Sequence, residues 1–251
     1  MPIHHAEAIV LNKRDFRETS LIANFYTREF GKVNVILKGI REVPAKFASS
    51  VELFSLNDII FYKKTNSSLH LVSQCDLKEN FNAIRQDILR VGLASCLCEL
   101  LDSVMPQEEK SEEIFDLALA CLRQLEINSN PHKIATIFKI KILSLSGFKP
   151  HLDSCVVCAQ KISGQAKFSL SLGGLLCQKC LNKDFSARTI FRGTVATIMH
   201  IEKNDLENNL NLGMNPQIKR ELESVLNSFL RFHLEKELKS QNVLNKLAVA
   251  I

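Results

Sequence analysis

Two Cys-x-x-Cys pairs, eighteen residues apart, constrain this chain more than any other feature of its sequence. The pairs are Cys155-Val-Val-Cys158 and Cys177-Gln-Lys-Cys180. Each pair can present two thiolates from one tight turn, and the segment between them is long enough to fold back as a hairpin. Four sulfur ligands can then close a tetrahedron around one metal ion. The sequence therefore predicts one structural Zn²⁺ per chain, held by Cys155, Cys158, Cys177 and Cys180.

The residues around the two pairs favour this interpretation. Ser163-Gly164 and Gly173-Gly174 can form turns, and Phe168-Ser169-Leu170 alternates as a strand does. A closed site of four cysteines has no open coordination position, so the ion would hold the shape of the hairpin and would not activate water. The alternatives are two redox dithiols, uncoordinated core cysteines, or replacement of one ligand by His151. A thioredoxin-type dithiol stands at a helix N-terminus after a strand, and neither pair has that setting.

Hydropathy and the N-terminal residues predict a cytoplasmic protein that does not enter a membrane. No stretch approaches the roughly 18–20 unbroken apolar residues of a membrane-spanning helix. The first residues carry neither the basic nor the apolar region of a signal peptide. In a reducing cytosol the four cysteines outside the pairs are expected to be small buried apolar residues. They are Cys75, Cys96, Cys98 and Cys121.

The hydrophobic pattern predicts a strand-rich N-terminal domain followed by helices. Five short runs have the alternation or the β-branched composition of strands, which fits a small barrel or a sandwich, and an oligonucleotide-binding (OB) barrel has this strand count. Further along, the apolar period becomes that of a helix. We therefore expect an OB-like domain over 1–80, a helical domain in two parts over 81–150 and 187–251, and an embedded zinc hairpin over 151–186.

Positive charge gathers in two regions, although the formal net charge is a modest +5. Residues 139–192 hold nine basic and two acidic side chains, and residues 10–50 are also rich in lysine and arginine. Such a set can follow a phosphate backbone without reading base sequence. The candidate DNA contacts are Lys13, Arg14, Arg17, Lys32, Lys38, Arg41 and Lys46 in the first region and Lys161, Lys167 and Lys179 in the second.

Three alternatives to these DNA contacts stay open. Each cation could belong to a merely solvated surface, and the second region could instead bind an acidic partner tail. Tyr26 is the aromatic side chain best suited to stack on a base, because its hydroxyl tolerates water, and core packing is the alternative for it.

Several segments together resemble the RecO family of bacterial recombination mediators. They are Tyr26–Phe30, Gly31–Arg41, Phe54–Asp58, Leu145–Cys158 and Phe168–Cys180. The resemblance covers essentially the whole chain in order. One departure is Ala159, where many relatives place glycine after the second cysteine. Some members of the family lack the cysteines, so the resemblance implies that zinc is a structural aid and not the source of activity.

The resemblance implies an α+β multidomain protein: an N-terminal OB-fold β-barrel and a C-terminal helical domain with an embedded Cys₄ zinc hairpin. It also implies a non-enzymatic role in recombinational repair. Members bind single- and double-stranded DNA and anneal complementary strands. They associate with RecR and with the single-stranded-DNA-binding protein SSB, whose acidic, apolar C-terminal tail fits an apolar helical groove, and they help to load RecA onto SSB-coated DNA. Such a protein works in the bacterial cytoplasm, at the nucleoid.

Two other classes of protein are less consistent with the residues. A metal nuclease needs clustered carboxylates, yet residues 139–192 contain only Asp153 and Asp184. A zinc-ribbon transcription regulator would need a recognition helix, and the sequence has no helix-turn-helix signature outside its apolar packing helices. There is also no Gly-rich phosphate loop for ATP hydrolysis.

Overall fold

The chain forms two compact units in the computed structural model. The first consists of Met1–Ala135 together with Leu238–Ile251, and the second consists of Thr136–Glu237. The residues that the structure describes are 2–40, 42, 51–162 and 164–250, with the backbone alone for 247–250.

Five strands of the first unit close into a barrel. They are β1 (Ile3–Phe16), β2 (Ser20–Thr27), β3 (Gly31–Leu37), β4 (Leu56–Tyr62) and β5 (Leu69–Glu79). The barrel order is β1-β2-β3-β5-β4, and β3 and β5 are the parallel neighbours. The predicted OB-like barrel is confirmed, and a sandwich is excluded because the sheet closes on itself.

The barrel interior follows from the two-residue alternation of its strands. Ala23 and Phe25 on β2 point inward with Val33 and Val35 on β3, and their neighbours in sequence point outward. Closure also removes the unpaired sheet edges on which other chains could add. At Gly31 the backbone has φ +64°, and a Cβ atom there would lie 2.0 Å from the Glu109 carbonyl oxygen. Glycine is therefore required at the start of β3.

The helices that follow the barrel differ from the sequence prediction at one point. The apolar pattern predicts one helix from about residue 80 to Pro106, but the structure has α1 (Asn82–Gln86) and α2 (Ile88–Val104). The Asp87 side chain accepts hydrogen bonds from two backbone N–H groups of the following turn, so it caps α2 and separates the helices. As the first residue of α2, Ile88 is exposed instead of facing inward. Helix α3 (Glu112–Ile127) and helix α4 (Pro131–Leu145) follow.

The second unit begins within α4 and contains a small sheet. Its strands are β6 (Ala166–Ser169), β7 (Gly174–Leu176) and β8 (Arg188–Ile190), in the order β7-β6-β8, with a 3₁₀ helix at Gln178–Lys183. Helices α5 (Arg192–Lys203), α6 (Leu206–Asn211) and α7 (Pro216–His233) complete it. The sequence predicts a helix from about Ala187, but residues 188–190 extend the predicted hairpin into a three-stranded sheet.

The last helix, α8 (Lys239–Ala250), returns the chain to the first unit. Its N-terminus is capped by Glu99 of α2, whose carboxylate accepts a hydrogen bond from the Lys239 N–H at 2.9 Å. Gly92 of α2 admits Leu244, because a Cβ atom on this glycine would lie 2.4 Å from a Leu244 methyl carbon. Across the described residues, no helix has both the length and the apolar character needed to cross a membrane.

Candidate metal centre and nucleic-acid surface

Residues 151–190, here called the cysteine lobe, carry both Cys-x-x-Cys turns. In the first turn the Cys155 N–H donates to the Gln160 carbonyl at 2.9 Å, and the Ala159 N–H donates to the Cys155 carbonyl at 2.8 Å. Ala159 has φ +56°, a left-handed conformation that glycine adopts at lower cost. The turn buries Cys155 and leaves Cys158 exposed.

The second turn follows β7 directly and begins a 3₁₀ helix, so the expectation that neither pair stands at a helix start after a strand is wrong for Cys177 and Cys180. Cys177 precedes the 3₁₀ helix, and the Cys180 N–H donates to the Cys177 carbonyl at 3.0 Å. Two backbone bonds fasten the first turn to β7: Leu175 N–H donates to His151 carbonyl at 3.0 Å, and Val156 N–H donates to Leu175 carbonyl at 2.8 Å. These bonds bring the two turns face to face.

The four sulfur atoms form one cluster. All lie within 4.8 Å of one another, and the Sγ atoms of Cys158 and Cys177 are 3.7 Å apart. A tetrahedral site with Zn–S bonds of about 2.3 Å requires sulfur–sulfur distances of about 3.8 Å. A disulfide would need about 2.05 Å, and all four residues are free cysteines. The four cysteines fit a closed metal site and could hold an ion together.

The thiols of the cluster differ in acidity because their surroundings differ. Burial raises the pKa of the Cys155 thiol, but N–H groups including that of Cys177 donate to its sulfur and lower the pKa to about 6. At Cys180, burial and hydrogen bonds with the neighbouring thiols raise the pKa to about 12. Of these two thiols Cys155 is the stronger acid, and a cation bound by the cluster would displace the proton that Cys180 holds.

His151 lies outside the sulfur cluster. Its Nε2 atom is 2.7 Å from the Ser154 hydroxyl oxygen, and its ring is exposed. The cluster consists of the four cysteines, so His151 replaces none of them.

A carboxylate that the sequence analysis did not single out fastens the lobe. Asp184 accepts hydrogen bonds from the hydroxyl groups of Ser169 (2.5 Å) and Ser171 (3.0 Å), and from the Ser186 N–H (2.8 Å) and hydroxyl (2.6 Å). The Ser169 bond, followed by those from Ser186, holds the pKa of Asp184 well below its usual range. The bonds tie the segment after the 3₁₀ helix to β6. The Asp-x-Ser pair at 184–186 is a local signal for this turn, but its other serine partners, Ser169 at the end of β6 and Ser171 just after it, are more than ten residues away in sequence.

The three predicted cations of the second basic region surround the cysteine cluster. Lys161 follows the first turn and Lys179 lies within the second, and both are exposed. Lys167 is half-buried on β6, paired in register with Leu176, a residue of the apolar cluster around Cys155. The ion pairs among the described residues of the second unit join other side chains: Lys149 with Glu202 and Arg231 with Glu237.

Strand register gathers three of the predicted barrel cations at one end of the barrel. Arg14 pairs in register with Ile22, which pairs with Ile36. Arg17 lies in the turn between β1 and β2, and Lys38 directly follows β3, beside that turn. All three side chains are exposed. The guanidinium of Arg17 lies over the ring of Phe16, 5.2 Å from its centroid.

Two predicted DNA contacts are buried instead. Tyr26 is fully buried on the outer face of the barrel, where its ring stacks on Phe115 of α3 at 6.4 Å, and burial raises the pKa of its hydroxyl to about 12. Lys32 is also buried, with its ammonium group 3.1 Å from the Asp102 carboxylate. These positions correct the predictions that Tyr26 stacks on bases and that Lys32 contacts phosphate, because the helices cover this part of the barrel.

Lys13 occupies an intermediate position. Its side chain is partly exposed, but its ammonium group donates to the Val51 carbonyl at 2.9 Å and pairs with the Glu52 carboxylate at 3.1 Å. A phosphate would have to compete with that ion pair. The predicted contacts Arg41 and Lys46 lie outside the described residues.

The sequence analysis missed a row of amides on the outer face of the barrel. Asn12, Asn24 and Asn34 pair with one another across β1, β2 and β3. The row lies between the register positions of the buried Tyr26 and the exposed Arg14. Its Asn34 Oδ1 atom is buried and has no hydrogen-bond partner among the described residues. The sequence does show one asparagine on each of three predicted strands, but only the strand register shows that the three lie side by side.

Outside the cluster, the remaining cysteines follow the sequence prediction. Cys75, Cys96, Cys98 and Cys121 are all buried. Burial raises the pKa of the Cys98 and Cys121 thiols to about 12, so they stay protonated and unreactive at neutral pH.

Comparison with known proteins gives one consistent result. The family model for the N-terminal domain of recombination protein O matches residues 1–81, and the model for its C-terminal domain matches residues 85–242. Among curated proteins, the chain is 33% identical to the DNA repair protein RecO of Alkaliphilus metalliredigens, over 92% of this chain and 93% of the relative. It is 29% identical to the RecO of Thermoanaerobacter sp. strain X514, over 98% and 99%. It is 28% identical to that of Symbiobacterium thermophilum, over 100% of each.

Proposed function

Because this chain belongs to the RecO family of DNA repair proteins, we propose that it is a non-enzymatic recombination mediator that binds single- and double-stranded DNA and anneals complementary strands. The observation that carries the proposal is the exposed cationic end of a closed OB-like barrel, where Arg14, Arg17 and Lys38 lie together. Three cations at one end of the barrel can follow a phosphate backbone without reading its sequence.

On the barrel, cations and amides would act together. The exposed cations neutralise phosphates, and Arg41 and Lys46, which follow β3 in the sequence, are further sequence-based candidates. In that row, the exposed Asn12 and the half-buried Asn24 offer hydrogen-bond donors and acceptors that sugars and bases of either strand can use. Binding of this kind is indifferent to base sequence, as a protein that acts anywhere on a damaged chromosome requires.

Annealing follows from charge neutralisation. Two single strands repel each other through their phosphates, and a cationic surface that binds both lowers this repulsion while base pairing selects the partner. No hydrolysis is required. The Asp184 carboxylate beside the cysteine cluster is occupied by serine hydrogen bonds, which argues against its use as a catalytic metal ligand.

For the cysteine cluster, we propose one structural Zn²⁺ ion. The support is the set of four sulfur donors and the 3.7 Å distance between the Cys158 and Cys177 sulfurs. When bound, the ion would cross-link the two turns and leave no open coordination position for water. Cys155, Cys158, Cys177 and Cys180 would act as thiolates, and Lys161, Lys167 and Lys179 keep the surrounding surface positive.

The same three lysines are proposed as a second DNA contact, with an acidic partner tail as the alternative. Reversing the charge of Lys161, Lys167 and Lys179 together should weaken DNA binding and flatten its salt dependence. Unaltered affinity at low salt would contradict this part of the proposal.

The partners proposed for this chain are those of a RecO mediator. RecR would act together with this chain, and the C-terminal tail of SSB would dock on an apolar helical groove. The result would be the loading of RecA onto SSB-coated DNA. A protein with this role works in the cytoplasm, at the nucleoid.

Strand annealing is the direct test. Purified protein should accelerate the pairing of complementary oligonucleotides without ATP, on bare strands or on strands coated with SSB. No acceleration in either case would refute the proposed function. Strand cleavage would indicate a nuclease instead, and preference for one duplex sequence would indicate a transcription regulator.

A variant pair tests the barrel surface. Arg14→Glu with Lys38→Glu should lower affinity for single strands about tenfold at low salt and reduce the slope of log K against log salt by about 1.4, for two lost phosphate contacts. Lys219→Glu with Arg220→Glu, an equal charge change at two exposed residues of α7, is the matched control. Equal losses in the two variants would show that only total charge matters.

A further inference from the structure

An exposed aromatic ring projects from the cysteine lobe. Phe185 is 90% exposed, the highest value among the large apolar side chains in the described part of the chain. Single exposed apolar residues are common on protein surfaces, so exposure alone does not indicate a function. The backbone and the charged residues beside Phe185 are what make it informative.

The backbone on both sides of Phe185 is fixed. Asp184 precedes it and binds Ser169 of β6 at 2.5 Å, and Ser186 follows it and donates twice to Asp184, at 2.8 and 2.6 Å. The Ala187 N–H donates to the Asp184 carbonyl at 3.3 Å, which closes the turn. The ring is therefore held out from the protein by a hydrogen-bonded turn, and the ordering of that turn is complete before any partner binds.

Two exposed cations flank the turn that carries the ring. They are Lys183, two residues before Phe185, and Arg188, three residues after it. The Asp184 carboxylate is the one acidic group in residues 154–201, and it is occupied by its serine partners. A ligand that suits this surface is anionic and offers a flat face to an aromatic ring.

We propose that Phe185 is a base-stacking residue of a single-stranded DNA contact on the cysteine lobe; this inference rests on the proposed function and makes it more specific. The cations hold the phosphates and the ring stacks on an unpaired base, a combination typical of single-strand binding without sequence preference. Duplex DNA does not offer a free base face, so the ring distinguishes single strands from duplexes.

An acidic peptide with apolar residues is the competing ligand. Such a tail docks in an apolar groove, whereas the residues that form the turn around Phe185 are hydroxylated or charged: Ser171, Asp184 and Ser186. A base needs no groove, because stacking uses the face of one ring. The polar setting therefore favours the nucleic acid.

A second single-strand contact would also serve annealing. A molecule that binds one strand on the barrel and another on the cysteine lobe raises the effective concentration of each strand for the other. An exposed stacking residue additionally presents bases unstacked from their own neighbours, ready to pair.

The test uses oligonucleotides with and without bases. The full-length protein is titrated with labelled oligo-dT and with an abasic oligomer of equal length, which keeps the phosphates. Phe185→Ala should weaken oligo-dT binding about fivefold or more, as expected for loss of one stacked base, and leave the abasic oligomer unaffected. Phe185→Tyr, which keeps an aromatic ring, should bind oligo-dT as the wild type does. Leu172→Ala, which removes another exposed apolar side chain of the lobe, should behave as wild type.

A fluorescence signature gives an independent readout. The chain contains no tryptophan, so Phe185→Trp introduces a single reporter at the proposed contact. Its emission should be quenched by oligo-dT and not by the abasic oligomer. Retained metal content and an unchanged melting temperature in each variant would show that the lobe is intact.

Three results would overturn the proposal. Phe185→Ala could bind oligo-dT as wild type does, or it could lose affinity for the abasic oligomer equally. The tryptophan reporter of the Phe185→Trp variant could respond to an acidic, apolar peptide and ignore oligonucleotides, which would reassign the surface to a protein partner. In each case wild-type DNA binding and annealing persist if the proposed function is right, so the two failures are distinguishable.

Discussion

The barrel and the cysteine lobe reach stability by different routes. The barrel has strands of seven to fourteen residues, closes on itself, and encloses a large apolar core that includes Phe25 and Phe61. The lobe has strands of three or four residues and an apolar cluster of a few side chains around Leu176. A core that small offsets little of the entropy lost on ordering the segment, so we expect the lobe to depend on a cross-link more than the barrel does.

Loss of the metal should produce the largest difference in stability between the two regions. Cys177→Ser, or treatment with a strong chelator, should unfold the cysteine lobe, because metal binding supplies much of the folding free energy of such small sites. The backbone amides of the barrel should stay protected from hydrogen exchange. Hydrogen exchange followed by mass spectrometry, with metal content measured in parallel, would report on each region. Cys121→Ala, which removes a buried thiol outside the cluster, should keep the metal. A zinc content near zero in the purified wild-type protein would contradict the zinc proposal.

A substitution at the start of β3 should damage the barrel alone. Gly31→Ala places a Cβ atom 2.0 Å from the Glu109 carbonyl oxygen at φ +64°, so the expected loss is about 2–4 kcal/mol of unfolding free energy. Gly39→Ala is the control, since φ is +71° but the nearest atom would be 3.8 Å away. It should cost about 1 kcal/mol. Urea denaturation gives both values, and equal losses would contradict the role of close approach at Gly31.

The Asp184 network should make the lobe sensitive to acid. The Ser169 hydroxyl, with Ser186, lowers the pKa of Asp184 in the folded protein. A lowered pKa means that the carboxylate stabilises the fold above the ordinary carboxyl pKa of about 4, and that this contribution is lost as pH falls toward the folded-state value. Asp184→Asn should therefore lower the melting temperature of the lobe at pH 7, and the difference from wild type should shrink below about pH 4. A constant difference would exclude the charged form as the cause.

The smallest effect is expected at the first cysteine turn. Ala159→Gly should stabilise the lobe by up to about 1 kcal/mol, because glycine adopts the observed φ of +56° without strain. Ala196→Gly, in the exposed face of α5, should have the opposite sign and a similar size, since glycine weakens a helix interior. Thermal melting of the metal-loaded protein measures both. Destabilisation by Ala159→Gly would contradict the strain argument.

The same contrast explains which sequence predictions held. Strand alternation and the Cys-x-x-Cys spacing are local patterns, and they predicted the barrel strands and the sulfur cluster correctly. Helix boundaries were less accurate: the cap at Asp87 divides one predicted helix, and residues 188–190 pair as a strand because β6 offers them a partner edge. The cap is a local side-chain hydrogen bond, which hydrophobic periodicity does not report, and the strand pairing is a contact between distant segments.

The sequence by itself determined the strand alternation, the two Cys-x-x-Cys turns and the distribution of basic residues, because each depends on neighbours a few positions away. The tertiary structure decided which outward-facing residues meet solvent. Tyr26 and Arg14 both lie on the outer face of the barrel, yet helix α3 covers the first and leaves the second exposed. Whether an outward-facing residue is buried depends on distant segments: Phe115, which covers Tyr26, is nearly ninety residues further along the chain. No local sequence pattern can therefore predict it.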